Sequence, residues 1–121
     1  MLRMSFSLKV KRYVNGALIQ VAGDIDTLTA PQLQDCLTGE LSDQSQLFVL
    51  DMGEVRYISS MGLRVFLSHL KRLKPKNGSI SIAKACKLVC DVFQMSGFSA
   101  YFEITDNLES CVAKLGAPST D

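Results

Sequence analysis

The chain has 121 residues, 47% of them hydrophobic and 21% charged, which suits one globular domain built on one core. A formal net charge of +1 supplies no global field to attract nucleic acid or an anionic membrane surface. No apolar run approaches the roughly 20 residues of a membrane-spanning helix, and no apolar stretch of signal-peptide kind follows Met1-Leu2-Arg3-Met4, so a cytoplasmic protein without a membrane span is expected.

In chain order, Phe6, Leu8 and Val10 alternate with Ser7, Lys9 and Lys11, as in a half-buried strand. Asn15-Gly16 is a strong hairpin signal, and Ala17 to Val21 reads as the returning strand. Gly23-Asp24-Ile25-Asp26 ends it. Thr29 or a neighbour is placed to cap a helix with Pro31 near its first position, and Leu33, Leu37 and Leu41, with Cys36, give that helix its period. Leu47-Phe48-Val49-Leu50 is apolar on both faces, the pattern of a central strand, and is expected to end at Asp51 before a turn at Gly53-Glu54.

Tyr57-Ile58-Ser59-Ser60-Met61-Gly62-Leu63 then opens a second helix whose stripe is Leu63, Phe66, Leu67, Leu70 and Leu73. Lys71, Arg72 and Lys74 complement the negative end of its dipole, which accounts for the basic cluster without nucleic acid. Ser79 to Ile82 alternates as a strand. Ala85, Leu88, Val89, Val92 and Phe93 predict an amphipathic helix with Gly97 as its left-handed end. Tyr101 to Ile104 reads as a short strand, Leu108 to Leu115 as a helix capped by Asp106 or Asn107, and residues 116–121 as a frayed tail beyond an ordered core of about 5–115. An α/β fold follows: a mixed sheet with an N-terminal antiparallel hairpin, then parallel strands with helical crossovers, and four helices.

Two adjacent serines at a helix start are the most suggestive feature. The first backbone N–H groups of a helix lack intrahelical partners, so one serine can cap the end and the other can carry a phosphate there. The single histidine, His69, lies nine residues after Ser60, on the far side of the helix, so a Ser-His nucleophile pair fails on geometry and an exposed or half-exposed surface histidine is expected. Cys36, Cys86, Cys90 and Cys111 lack paired C-x-x-C spacing and are expected to be reduced and metal-free. Asp24 and Asp26 are more readily turn formers and caps than a metal site. Neither a P-loop nor a Rossmann glycine fingerprint occurs, and no cofactor is expected. On a helical projection Met61 and Val65 fall opposite the core stripe, continued by Ser68 and Arg72. With Arg64 they are expected to form a contact face beside Ser60.

Three segments resemble the bacterial STAS domain of anti-sigma factor antagonists: Gly23-Asp24-Ile25-Asp26 with Thr29-Ala30, Val49-Leu50-Asp51 through Ile58-Ser59-Ser60-Met61-Gly62-Leu63, and Val92-Phe93-Gln94-Met95-Ser96-Gly97-Phe98. The likeness runs from about Leu8 to Leu115 of one domain spanning 1–121. The family motif reads Asp-Ser-Ser/Thr-Gly-Leu with its first serine phosphorylated, and that serine corresponds to Ser60. Ser59 replaces the usual Asp, retaining capping ability but no charge, and Met61 replaces Ser or Thr. The resemblance implies a partner switch rather than an enzyme: binding of an anti-sigma factor that is also a serine kinase, phosphorylation of Ser60 in a loop with Ser59, Met61 and Gly62, and resetting by a serine phosphatase. Asp24 and Asp26, together with the Met61, Arg64 and Val65 face read from the helical projection, are the expected partner-binding residues. A STAS subunit of a transporter or sensory complex, or a small-nucleotide binder, are the other readings; the missing phosphate loop weighs against the last.

Overall fold

A computed structural model describes residues 5–119; the reading of Met1–Met4 and the last two positions of the tail lie outside them. The strands are β1 (Ser7–Tyr13), β2 (Gly16–Ala22), β3 (Leu47–Glu54), β4 (Ser79–Ala83) and β5 (Glu103–Thr105), and the helices α1 (Ala30–Glu40), α2 (Ser60–Leu73), α3 (Lys87–Met95) and α4 (Leu108–Ala113). The strands form one sheet in the order β1-β2-β3-β4-β5, with β1–β2 antiparallel and every later pair parallel. The expected architecture is therefore the observed one.

Alternation along the strands sorts the two layers. Ala17, Ile19, Val21, Phe48, Leu50, Met52, Ile80 and Ile82 face one continuous core shared with α1, α2 and α3. Leu18 and Val49 point the other way, onto Cys111 and Leu115 at the α4 end. Because β3 is buried on both faces, an unbroken apolar run serves it where alternation serves β1. Phe66 of α2, Phe93 of α3 and Phe102 before β5 meet edge to face with centroids 5.4 to 6.2 Å apart, tying both helices to the end of the sheet.

Several boundaries differ from the sequence expectation. The two-residue hairpin loop is Val14-Asn15, with Gly16 already paired to Tyr13. Asn15 is held elsewhere: its N–H donates to the Leu115 carbonyl at 3.0 Å and its own carbonyl accepts from Leu47 at 3.1 Å. β3 runs three residues past Asp51, and Gly53-Glu54 is no turn; the β2–β3 register shifts there, and the Gly53 N–H donates to Asp51 Oδ1. β5 starts at Glu103, after a 3-10 turn over Ser99–Tyr101. Asn107 caps α4, accepting from the Ser110 N–H at 3.0 Å, and Gly97 ends α3 with φ +81°. Leu88, assigned to the buried stripe of α3, is exposed; Val89 and Phe93 are that helix's buried residues. The tail does not fray at 117–119: Val14 donates to the Ala117 carbonyl and Ser119 to that of Arg12, closing part of the β1 edge.

Candidate functional site

The segment from β3 to α2 is zipped to the segment that leaves β2. The Gly23 N–H donates to the Glu54 carbonyl at 3.0 Å, Ile25 to Tyr57 at 2.9 Å, and Ser59 back to Ile25 at 2.8 Å, with Ile25 and Ile58 forming a parallel bridge. Val55, Ile58 and Ile25 are buried and act as apolar pins beneath the loop. The start of α2 is thereby fixed to two strands at once.

Ser59 is the N-cap. It has extended backbone, and its hydroxyl accepts from the Gly62 N–H at 3.2 Å while its carbonyl accepts from Leu63 at 3.0 Å. Gly62 is required by close approach: a Cβ there would lie 2.7 Å from Ile25 Cγ2 and 2.8 Å from Ile58 Cγ1. Ser60, the first residue of α2, is exposed, and its hydroxyl makes no hydrogen bond among the described residues. One serine builds the helix end and the other is presented by it.

The two carboxylates before α1 have different duties. Asp26 Oδ1 accepts from the N–H groups of Leu28 and Thr29 at 2.9 and 3.0 Å, and the Thr29 hydroxyl donates to the Asp24 carbonyl at 2.7 Å. Asp26 is thus a turn former, and α1 has no side-chain cap: Thr29 makes no cap bond, and the first helical N–H, that of Ala30, donates to the Asp26 backbone carbonyl at 2.8 Å. The half-buried Asp24 carboxylate has no hydrogen bond or ion pair among the described residues.

The α2 faces need correction. Met61 and Arg64 are exposed, as expected, but Val65 is only 4% exposed and Gly62 is buried too. Leu67 and Leu70, assigned to the core stripe, are half-buried. The cause is α1, which packs beside α2, so that α2 is covered by the sheet and by a neighbouring helix. An open groove of about 600 Å³ remains between the two helices, lined by Pro31 and Asp35 on one side and Met61, Arg64 and Lys71 on the other, with Val65 beneath. Val65 is therefore packing, not a free contact residue.

His69 is likewise buried, contrary to expectation. Its ring stands edge-on to Phe48 at 4.4 Å and neither nitrogen has a partner among the described residues. Burial, with the nearby Arg72 charge second, lowers its pKa from 6.5 to about 4, so it is neutral and has no access to Ser60. All four cysteines are free thiols. Burial raises the pKa of Cys36, Cys90 and Cys111, with neighbouring carboxylates adding to it, so these three are poor nucleophiles.

Two exposed apolar residues escaped the sequence reading. Leu28, 80% exposed, leaves the β2 end and Tyr57, 46% exposed, the β3 end, so both lie at the end of the sheet that holds Ser60 and Met61. The available signal was an apolar residue between threonines in a turn, outside any periodic pattern.

Residues 7–111 match the STAS domain family model. The chain is 33% identical over 101 residues to BtrV of Bordetella bronchiseptica, provisionally described as an anti-sigma factor antagonist, covering 83% of this chain and 87% of that protein. It is 28% identical to the anti-sigma-B factor antagonist of Bacillus subtilis, over 90% of this chain and 99% of that one. The fold is similar to the crystal structure of an anti-sigma factor antagonist from Mycobacterium paratuberculosis, with TM-score 0.81 at 20% identity over 94% and 98% of the two chains. Among the described residues no helix is long and apolar enough to cross a membrane.

Proposed function

Because the chain belongs to the STAS domain family, we propose that it is an anti-sigma factor antagonist working in the cytoplasm as a phosphorylation-gated binding module. Its partners are an anti-sigma factor that is also a serine kinase, which modifies Ser60, and a serine phosphatase that restores it. The observation carrying this reading is the presentation of Ser60: an exposed hydroxyl with no hydrogen bond among the described residues, on a helix start already capped by Ser59.

The unmodified surface combines Leu28, Tyr57 and Met61 with the unpaired Asp24 carboxylate and the Arg64 guanidinium. Apolar side chains around a neutral hydroxyl can be desolvated at low cost by a partner, and Asp24 offers a carboxylate to a basic residue across the interface. A phosphate adds about −1.5 to −2 charge in the middle of that surface. The helix N-terminus accommodates the charge locally, so the fold stays and the interface fails.

The test is capture of the anti-sigma factor from source cells, identified by mass spectrometry, followed by titration against variants. Ser60→Ala should bind like the wild type and resist phosphorylation, and Ser60→Asp should bind at least tenfold more weakly. Phosphate on Ser59 instead, or Ser60→Asp binding at wild-type strength, would overturn the assignment.

A further inference from the structure

Arg64 is the one basic side chain in the first two turns of α2, and the helix gives it little to do. From Ser60 to Leu73 there is no Asp or Glu, so Arg64 has no acidic neighbour along its own helix. It is exposed and makes no ion pair or hydrogen bond among the described residues, although Asp35 lines the far side of the same groove. Its positions one turn away are Ser60 and Ser68.

Helix geometry aims it at the first of these. Residues four apart lie on one face with Cβ atoms about 6 Å apart. Every Cα–Cβ bond of a helix tilts toward the N-terminus, so a long side chain covers the turn before its own. Arg64 therefore leans back over Ser60 and not forward over Ser68. An anion N-terminal to a cation at this spacing is also the favourable order.

We propose that Arg64 holds the phosphate of phospho-Ser60, which rests on the reading of Ser60 as the modified serine. The planar guanidinium presents paired N–H donors that match two phosphate oxygens, a fit that a lysine point charge lacks. At the helix end the Gly62 and Leu63 N–H groups are taken by Ser59, which leaves the Ser60 and Met61 N–H groups at the helix start and, among the α2 side chains one turn from Ser60, the Arg64 guanidinium to meet a new anion. The guanidinium then leaves the groove mouth beside Met61. Phosphorylation thus changes the surface twice, adding charge at position 60 and withdrawing a donor from position 64.

The experiment installs phosphoserine at position 60 biosynthetically in the full chain, so no kinase is needed, and follows the phosphate by 31P NMR against pH. The second phosphate pKa, ordinarily about 6, should be lower in the parent than in Arg64→Gln by about half a unit, a roughly threefold difference in proton affinity. Arg64→Lys should fall between them, and the difference should shrink in 1 M salt. Coincident titrations of parent and Arg64→Gln would overturn the proposal; should Arg64→Gln fold poorly, coincidence of parent and Arg64→Lys with no salt dependence does the same. The functional reading is tested separately by binding. If phosphoserine leaves partner affinity unchanged while the titrations differ, that reading falls and the clamp stands; if affinity is lost and the titrations coincide, the clamp falls alone.

Discussion

Replacing His69 with leucine should alter how this protein responds to acid. The imidazole is 2% exposed, stacked edge-on to Phe48, with both nitrogens unpartnered among the described residues. Its folded pKa is about 4 against 6.5 for the free side chain, so the unfolded chain binds the extra proton between those values. A group depressed in this way contributes stability that is complete above pH 6.5 and is lost as pH falls toward 4. At 1.36 kcal/mol per unit, integration from pH 7 to pH 4 gives a loss of about 2–3 kcal/mol from this residue alone. At pH 7 the substitution trades one unpaired buried N–H, costing about 1–3 kcal/mol, against an aromatic contact of about 0.5–1.5 kcal/mol, so the two proteins should differ little. Urea denaturation of both at pH 7, 6, 5 and 4 provides the assay. Carboxylate effects are common to both, so His69→Leu should gain on the wild type by about 2–3 kcal/mol across that range. A difference that is the same at pH 7 and pH 4 would refute the argument, since it would mean that His69 titrates normally in the fold.

Gly62→Ala should destabilise by about 1–3 kcal/mol in thermal melts, because its Cβ drives into Ile25 and Ile58. Ser59→Ala should cost about 1 kcal/mol through loss of the cap, while Ser59→Asp should stay near the wild type. Val65→Ala should cost about 1–2 kcal/mol of stability because the side chain is buried between the helices. Met61→Ala, by contrast, should leave the melt nearly unchanged and weaken partner binding in the same titration.

The element order was legible because each strand and helix announces its period locally: Phe6, Leu8 and Val10 at period two, and Leu33 and Leu37 one turn apart. The capping role of Ser59 was legible too, since capping is a local interaction. What escaped depends on neighbours distant in sequence. Periodicity says which residues of α2 are apolar but not how many surfaces cover the helix. With the sheet on one side and α1 on another, the buried arc shifts away from Leu67 and Leu70 to take in Val65 and His69, the latter against Phe48 of β3, and a polar ring enters the core. Gly53 could have been a turn or a bulge until β2 was seen beside it. Asn15 is not in the left-handed region that an Asn-Gly hairpin uses; its backbone and side-chain N–H groups instead hold the Leu115 and Lys114 carbonyls, distant in sequence. Leu28 and Tyr57 share one end of the sheet because β2 and β3 are adjacent and parallel, so that both segments emerge there.

The neutral residue at position 59 follows the same logic as the exposed arginine at position 64. An aspartate cap would satisfy the Gly62 N–H as Ser59 does, but it would also place a permanent negative charge beside Ser60. That charge would attract the Arg64 guanidinium before any modification and repel an incoming phosphate. With serine at 59 and no acid anywhere in α2, the first turn is electrostatically blank on its acidic side until Ser60 is modified. On the proposed reading the contrast between the two states is then large, because a phosphate on Ser60 would be the first anion carried by α2 itself. The backbone has no reason to move in response: Ser59, Gly62 and the Ile25–Ile58 bridge fix the loop, and none of them depends on the Ser60 hydroxyl. On the proposed reading, a switch built this way would act through charge and a single side-chain reorientation. Backbone amide exchange in α2 should therefore be the same in the unmodified and phosphoserine-60 proteins beyond the first turn, and loss of protection through the body of the helix would show that the fold itself responds.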